Sequence, residues 1–306
     1  MTPDATRTDK SPGAASTSAT AIMAQAGAQA PAENFPVALR FLPRRYRRHL
    51  AAVYGFARSV DDMGDQAAAQ ERLDLLDELE ADLGRLYRMV PPATAAGPGD
   101  GPPRLAVIRA LAPTVVACAI PAQPFHDLIA ANRQDQAVSR YPAYTDLLDY
   151  CRLSANPVGR IVLHIFGAAT PVREALSDRV CTALQLAEHW QDVAEDLRAG
   201  RIYLPQEDLD RFGCSEQDLA APSAAPRVRA LIAFEEQRAR ELLDAGAPIV
   251  GTLRGAARAA VAGYVAGGRA ALAAIAASGH DVLRATPRPA KPRVAAELVR
   301  AYATGR

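Results

Sequence analysis

The 306-residue chain is poor in the groups on which many enzymes are built, with only four cysteines and five histidines. Cys118, Cys151, Cys181 and Cys214 form no C-x-x-C pair and no dense framework. They read as buried thiols of a reducing compartment rather than as disulfide staples. Without a clustered Cys or His set, a zinc site is disfavoured. Net charge is almost absent as well: 35 basic residues stand against 34 acidic ones. No concentrated positive field is therefore available for a phosphate backbone, and a nucleic-acid partner is not expected. No uninterrupted apolar run reaches the ~20 residues that span a bilayer. Asp4, Arg7, Asp9 and Lys10 are not followed by the apolar core of a secretory signal, so a cytoplasmic protein is expected. Phosphate loops of the G-x-G-x-x-G and G-x-x-x-x-G-K-[ST] types are missing, and no alternating β-branched runs compete for a sheet. Rossmann and P-loop enzymes are disfavoured accordingly.

What is present reads as helix. LLDELEADLGRLYRMV, over 75–90, returns apolar residues at intervals of three and four with charges between them. PFHDLIAANRQDQAV, DLLDYCRLSA, ALQLAEHWQDVAEDL and RVRALIAFEEQRARELLDAG repeat that character. Residues 1–30, rich in Ala, Ser, Thr, Gly and Gln, lack side chains to offset their ordering entropy and are expected to be a disordered leader. PPATAAGPGDGPP, over 91–103, excludes a continuous helix and reads as a loop within one domain spanning 31–290. The Ala-rich stretch over 253–277 reads as a core helix or a weakly amphipathic surface element. Residues 291–306 are expected to form a C-terminal tail; solvation, diphosphate contact and attraction to anionic lipid are all open to the basic RATPRPAKPR run that leads into it, over 284–293.

Two acidic constellations carry the chemistry. In YGFARSVDDMGD, Asp61 and Asp65 lie one helical turn apart on one face, and two carboxylates there repel unless a cation lies between them. Tyr54 and Arg58 precede them on nearby turns, and Asp62 belongs to the same motif. In HWQDVAEDLRAGRIYLP, Asp192 and Asp196 repeat the spacing, with Glu188 one turn upstream and Gln185 three residues before it. Either pair alone is ordinary surface chemistry. Together, with Arg58, Arg198 and Arg201 nearby, they suit a diphosphate. Mg²⁺ takes one or two carboxylates plus waters and substrate phosphates, and guanidinium engages phosphate bidentately.

These segments resemble the paired aspartate motifs of the squalene and phytoene synthase family, the head-to-head prenyl synthases. The resemblance covers about 33–282 and includes the DDxxD over 61–65, QDVAEDLRAGRIYLP over 191–205 and YCRLSANPVG over 150–159. ENFPVA over 33–38, SANPVG and HWQDVAEDL look most like the branch of the hopanoid pathway that forms hydroxysqualene. It implies an all-α isoprenoid (terpenoid) synthase fold, a single helical domain around a central cavity. It further implies conversion of presqualene diphosphate to hydroxysqualene with Mg²⁺, or Mn²⁺ in its place, and without NADPH. Peripheral contact with the inner face of the cytoplasmic membrane and association with neighbouring hopanoid-pathway enzymes belong to the same expectation. Two alternatives stand beside it: head-to-head condensation of prenyl diphosphates, and a helical scaffold of the same fold.

By the resemblance, Asp61, Asp65, Asp192 and Asp196 are metal ligands, with Asp62 part of the first motif. Tyr54 and Arg58 flank the first diphosphate site, Arg201 belongs to the second motif, Gln185 is a polar cavity residue and Tyr264 lies near the phosphate end. Tyr150 and Gly159 line the prenyl channel. Glu188 is a departure, standing where relatives commonly carry Asn; it adds a metal ligand or repels diphosphate. From the residues alone, Phe35 is divided between a prenyl contact and packing, and Asn156 between presenting polar groups to the cavity and preceding a plain proline kink. Trp190 reads as core, His189 as a surface or hydrogen-bonded helix residue, and Tyr203 as structural.

Overall fold

Helix α1, Arg44–Asp65, begins directly after Pro43 and buries Leu50, Val53, Phe56, Val60 and Met63 at intervals of three and four. That apolar stripe fixes which side of the helix faces inward. The structure is a computed structural model and describes residues 42–90 and 101–306. The expected leader, Phe35 and the ENFPVA motif, and residues 91–100 of the Pro/Gly-rich segment lie outside the described residues. Helices α2 (Arg72–Met89), α3 (Ala106–Cys118) and α4 (Gln123–Gln134) pack against α1. Phe56 and Phe125 meet edge-on at 5.0 Å in the core they share, beside Leu76, Leu79 and Leu83. Each of these side chains, fully withdrawn from water, contributes about 1.5–3 kcal/mol.

The chain continues through α5 (Tyr144–Ser154), α6 (Asn156–Ile165), α7 (Pro171–Gln191), α8 (Val193–Arg198), α9 (Gln206–Arg211) and α10 (Glu216–Leu219). It closes with α11 (Pro226–Gly246), α12 (Ile249–Thr252), α13 (Gly255–Ala277) and α14 (Lys291–Thr304). Helix α7 starts on a proline that needs no amide partner, behind Thr170, whose hydroxyl accepts from the Arg173 amide at 3.3 Å. It packs along α11 and α13 in a second core centred on Trp190, Leu186, Leu231 and Val265. Trp190 is wholly buried, as its core reading requires. Helix α6 joins the two cores, because Ile161, Val162 and Ile165 enter one and Leu163 the other. Among the described residues the only extended pairing is one parallel bridge between Arg140 and Ile202.

Two expectations are revised here. The tail beyond residue 290 forms α14, which ends at Gly305 in the left-handed conformation (φ 73°) and lies against α13. Helix α13 is long and apolar enough by composition to cross a bilayer, since two arginines in an Ala-rich helix do not lower its mean hydropathy far. However, 56% of its apolar window is buried inside the protein, with Val261, Val265, Leu272 and Ile275 in the cores. It is the core helix of the two sequence alternatives.

A buried polar knot sits between α9 and α11. Arg238 reaches Asp208 at 2.6 Å and Glu235 at 3.4 Å, and its guanidinium lies over the rings of Tyr144 and Phe234. Burial and the neighbouring Asp208 push Glu235 up to about 8, against the pull of Arg238. A carboxyl raised in the folded chain holds its proton more tightly there than when unfolded. The stability it contributes is complete below its unfolded value of 4.5 and is lost as pH rises through about 8. Glu235→Gln cannot ionise, so at pH 9 it is expected to raise stability by roughly 1–3 kcal/mol and at pH 4 to change it little. Urea denaturation at both pH values checks this; an equal shift at both would overturn the assignment.

Candidate active site

The last turn of α1, the end of α4 and the junction of α7 with α8 converge on a cavity of ≈ 390 Å³. Asp61 and Asp65 form one wall. Asp62, 100° round the helix, cannot share that face. It is buried, with Arg58 Nη2 at 3.0 Å and Gln66 Nε2 donating to it at 2.6 Å. The first motif therefore divides into two cavity carboxylates and one that belongs to an ion pair beneath them.

The opposite wall carries Gln185, Glu188, Asp192 and Asp196. Their helix is not straight. Asp192, at φ −104° and ψ 15°, ends α7 and starts α8, while its carbonyl accepts from the amides of both Glu195 and Asp196 at 2.8 Å. The four-residue spacing survives on a bent axis. After Gly200, which adopts φ 84°, the chain doubles back and the Arg201 amide bonds to Asp196 O at 2.8 Å. Arg201 Nη2 then spans the cavity to Asp65 Oδ1 at 2.9 Å, linking residues 136 apart in the chain.

A third wall was not anticipated. Asn132 donates to Asp61 Oδ1 at 3.3 Å, and Asp135 accepts from the Tyr150 hydroxyl at 3.0 Å while its Oδ1 is buried without a partner. The available signal was ANRQD, where Asn and Asp three residues apart share a helix face. It was overlooked because one acid on an amphipathic helix is commonplace. His189 is also on the cavity and not on the surface. Its ring stacks on Tyr203 at 3.6 Å, Gln185 lies 3.2 Å away, and burial lowers it to about 3, so it is neutral.

Several expected site residues lie off this cavity. Arg58 is turned to Asp62, and Tyr54 is half-buried on α1. Tyr264 packs against the core around Phe56, and burial pushes its hydroxyl up to about 12. Asn156 is buried with Oδ1 accepting from Thr182 at 2.9 Å, so it joins α6 to α7 and presents no polar group to the cavity. Gly159 marks a close helix crossing: a Cβ there would lie 2.3 Å from Ser177 Oγ and 2.5 Å from Cys181 Sγ. Gly159→Ala is expected to destabilise the fold by roughly 1–3 kcal/mol through overpacking, read as a lower melting temperature. An unchanged melting temperature with lost activity would return this glycine to the prenyl channel.

The electrostatics suit a cation. Burial, with Asp65 adding to it, pushes Asp61 up to about 7 even though Asn132 pulls the other way. Burial and Asp192 push Asp196 up to about 7, and burial raises Asp135 to about 6 and Asp192 in the same direction. Among the described residues no three Asp, Glu, His or Cys side chains are grouped to hold an ion unaided. Hard oxygen donors on two facing walls, with an orphaned carboxylate oxygen on the third, fit Mg²⁺, which completes its shell with water and substrate phosphate. The 284–289 segment is tied to the second motif, with Gln191 Nε2 donating to Pro287 O and Thr286 donating to Glu195 at 3.1 Å, while Arg284 and Arg288 stay exposed.

A hydroxysqualene synthase of Rhodopseudomonas palustris is 33% identical over 226 residues, 72% of either chain. A 15-cis-phytoene synthase of Synechococcus elongatus is 32% identical over 228 residues, 70% of either chain. The crystal structure of squalene synthase HpnC from Alicyclobacillus acidocaldarius superposes with a TM-score of 0.75 at 40% identity, covering 85% of this chain and 94% of that one. A dehydrosqualene synthase matches at TM-score 0.76 and 22% identity, which supports the fold alone. The architecture is the all-α isoprenoid synthase fold. Since residues 28–295 match the squalene/phytoene synthase family, the chain belongs to that family.

Proposed function

We propose that this enzyme converts presqualene diphosphate to hydroxysqualene. The observation that carries the reading is the pair of acidic walls facing one cavity, with Arg201 reaching from one to the other. Bound Mg²⁺, or Mn²⁺, would supply the positive charge that lets the diphosphate leave. Asp61 and Asp65 on one side and Asp192 and Asp196 on the other would hold it, with Glu188 one turn below Asp192. Arg201 trades Asp65 for diphosphate oxygens when substrate enters, since its fork matches them. The neutral His189, Gln185 and the Tyr150 hydroxyl provide polar groups without a competing positive charge near the developing carbocation. Loss of diphosphate leaves a cyclopropylcarbinyl cation; ring opening rearranges it, and one water adds with release of a proton. No hydride donor enters that balance, so NADPH is not required.

The phytoene synthases among the relatives favour a second reading, head-to-head condensation of two prenyl diphosphates. One experiment separates them. Purified protein with presqualene diphosphate and Mg²⁺, lacking NADPH, is expected to yield hydroxysqualene by mass spectrometry. Untouched presqualene diphosphate, with product appearing only from farnesyl or geranylgeranyl diphosphate, would move the enzyme to condensation. No diphosphate release from any of them would leave a scaffold of the same fold.

A further inference from the structure

Helix α14 is mounted on the protein the wrong way round for an ordinary surface helix. Stepping about 100° per residue, Val299 lies almost opposite Ala301, the residue pressed into the protein at 0% exposure. Around Val299 on the solvent side sit Pro292, Ala295, Ala296 and Ala303, all exposed and all apolar. Val299 is 69% exposed, and Leu298 and Tyr302 on the adjoining edge are exposed too. Charge occupies the flanks instead, with Arg293 and Arg300 on one side and Lys291 on the other. A surface helix normally turns its charged face to water. Helices that lie in the plane of a membrane interface bring an apolar face to the acyl boundary and basic residues to the headgroups.

The surroundings share this polarity. Over 291–306, four basic residues, all exposed, stand against Glu297 alone, in a chain whose formal charge is only +1. The helix is also held rigidly. Arg258 donates to Tyr302 O and stacks over its ring at 4.9 Å, and Arg269 donates to the carbonyl of Arg306 at 3.1 Å. Gly251 allows Gly305 to approach so closely that a Cβ at 251 would lie 2.9 Å from its oxygen. A second copy of the chain would bring like-charged flanks together, whereas anionic lipid complements them.

We propose that the outer face of α14 docks on an anionic lipid bilayer, with Val299 toward the acyl chains and Arg293, Arg300 and Lys291 at the headgroups. The inference stands on this surface and not on the reaction. The test is sedimentation of the full chain, without substrate, with vesicles of phosphatidylcholine alone and of equal phosphatidylcholine and phosphatidylglycerol. Binding is expected only to the anionic vesicles, and to fall away in 1 M salt, where the screening length shrinks to about 3 Å. The double variant R293E/R300E is expected to weaken partitioning at least about 30-fold, from the loss of two basic contacts. Val299→Asp, an exposed position that leaves folding intact, is expected to abolish sedimentation while circular dichroism stays unchanged. Equal binding to both vesicle types, binding unaffected by these variants, or no binding would overturn the proposal. A dimer in solution that Val299→Asp dissociates would overturn it too, by assigning this face to a second copy.

Discussion

Asp61→Asn and Asp196→Asn are each expected to lower diphosphate release by on the order of 10²–10³-fold, while Asp62→Asn, in the same DDxxD, changes turnover only a few-fold. The distinction follows from where the carboxylates point. Asp61 and Asp196 face the cavity, and burial among like charges holds both up to about 7. The folded chain thus works against their ionisation, and asparagine relieves that cost. Thermal stability of the two cavity variants above pH 7 is expected to hold or rise as activity falls, the usual exchange at a functional site. Asp62 has the opposite balance. Its carboxylate compensates Arg58 at 3.0 Å beneath the surface, and Asp62→Asn removes that compensation at a cost of about 1–3 kcal/mol. Kinetics, Mn²⁺ titration by paramagnetic resonance and melting curves read all three. The double variant of Asp61 and Asp196 should lose less than the product of the single losses, because both act on one assembly. A folded Asp62→Asn protein as inactive as Asp61→Asn would place all three acids at the metal.

Much of this was legible from periodicity. The stripe Leu50, Val53, Phe56, Val60 and Met63 orients α1, and once α1 is oriented, the 61/65 spacing places both acids on a common face. The same rule, applied to Asp62, already turns it away; the motif obscured that. Long-range pairing was not legible. The Arg201–Asp65 contact spans 136 residues and depends on the bend at Asp192 and the reversal at Gly200, neither of which a helical pattern announces. Asn132 and Asp135 were missed for a related reason, since a wall of a cavity is recognised only when the facing walls are known. Asn156 and Gly159 sit instead where α6 meets α7. Their motif marks a junction of α6 with α7, and a polar side chain and a missing Cβ serve packing there as readily as a channel. The basic run before α14 was correctly charged, but its prolines concealed a segment fastened to Glu195 and Gln191.

Arg201→Ala is expected to reduce kcat/KM by on the order of 10²–10³-fold and Arg201→Lys by roughly 10-fold or more. The lysine variant isolates geometry from charge: an ammonium can still attract the diphosphate, but as a point, whereas the guanidinium offers two parallel donors. Arg201 has a second possible employment, as a latch between the two acidic walls through Asp65 at 2.9 Å. The two roles separate in binding. A latch predicts that Arg201→Ala lowers the melting temperature and leaves the affinity for inorganic pyrophosphate with Mg²⁺ intact. A diphosphate contact predicts that this affinity falls, in calorimetry, with the melting temperature little changed, since the pair with Asp65 is solvent-exposed on the carboxylate side (54%) and such pairs contribute about 0–1 kcal/mol. The weakness of the pair is what suits it to exchange. A guanidinium held by a strong buried partner would resist transfer to substrate, while one resting on a half-exposed carboxylate can move to a more highly charged ligand and release Asp65 for its own role at the cavity.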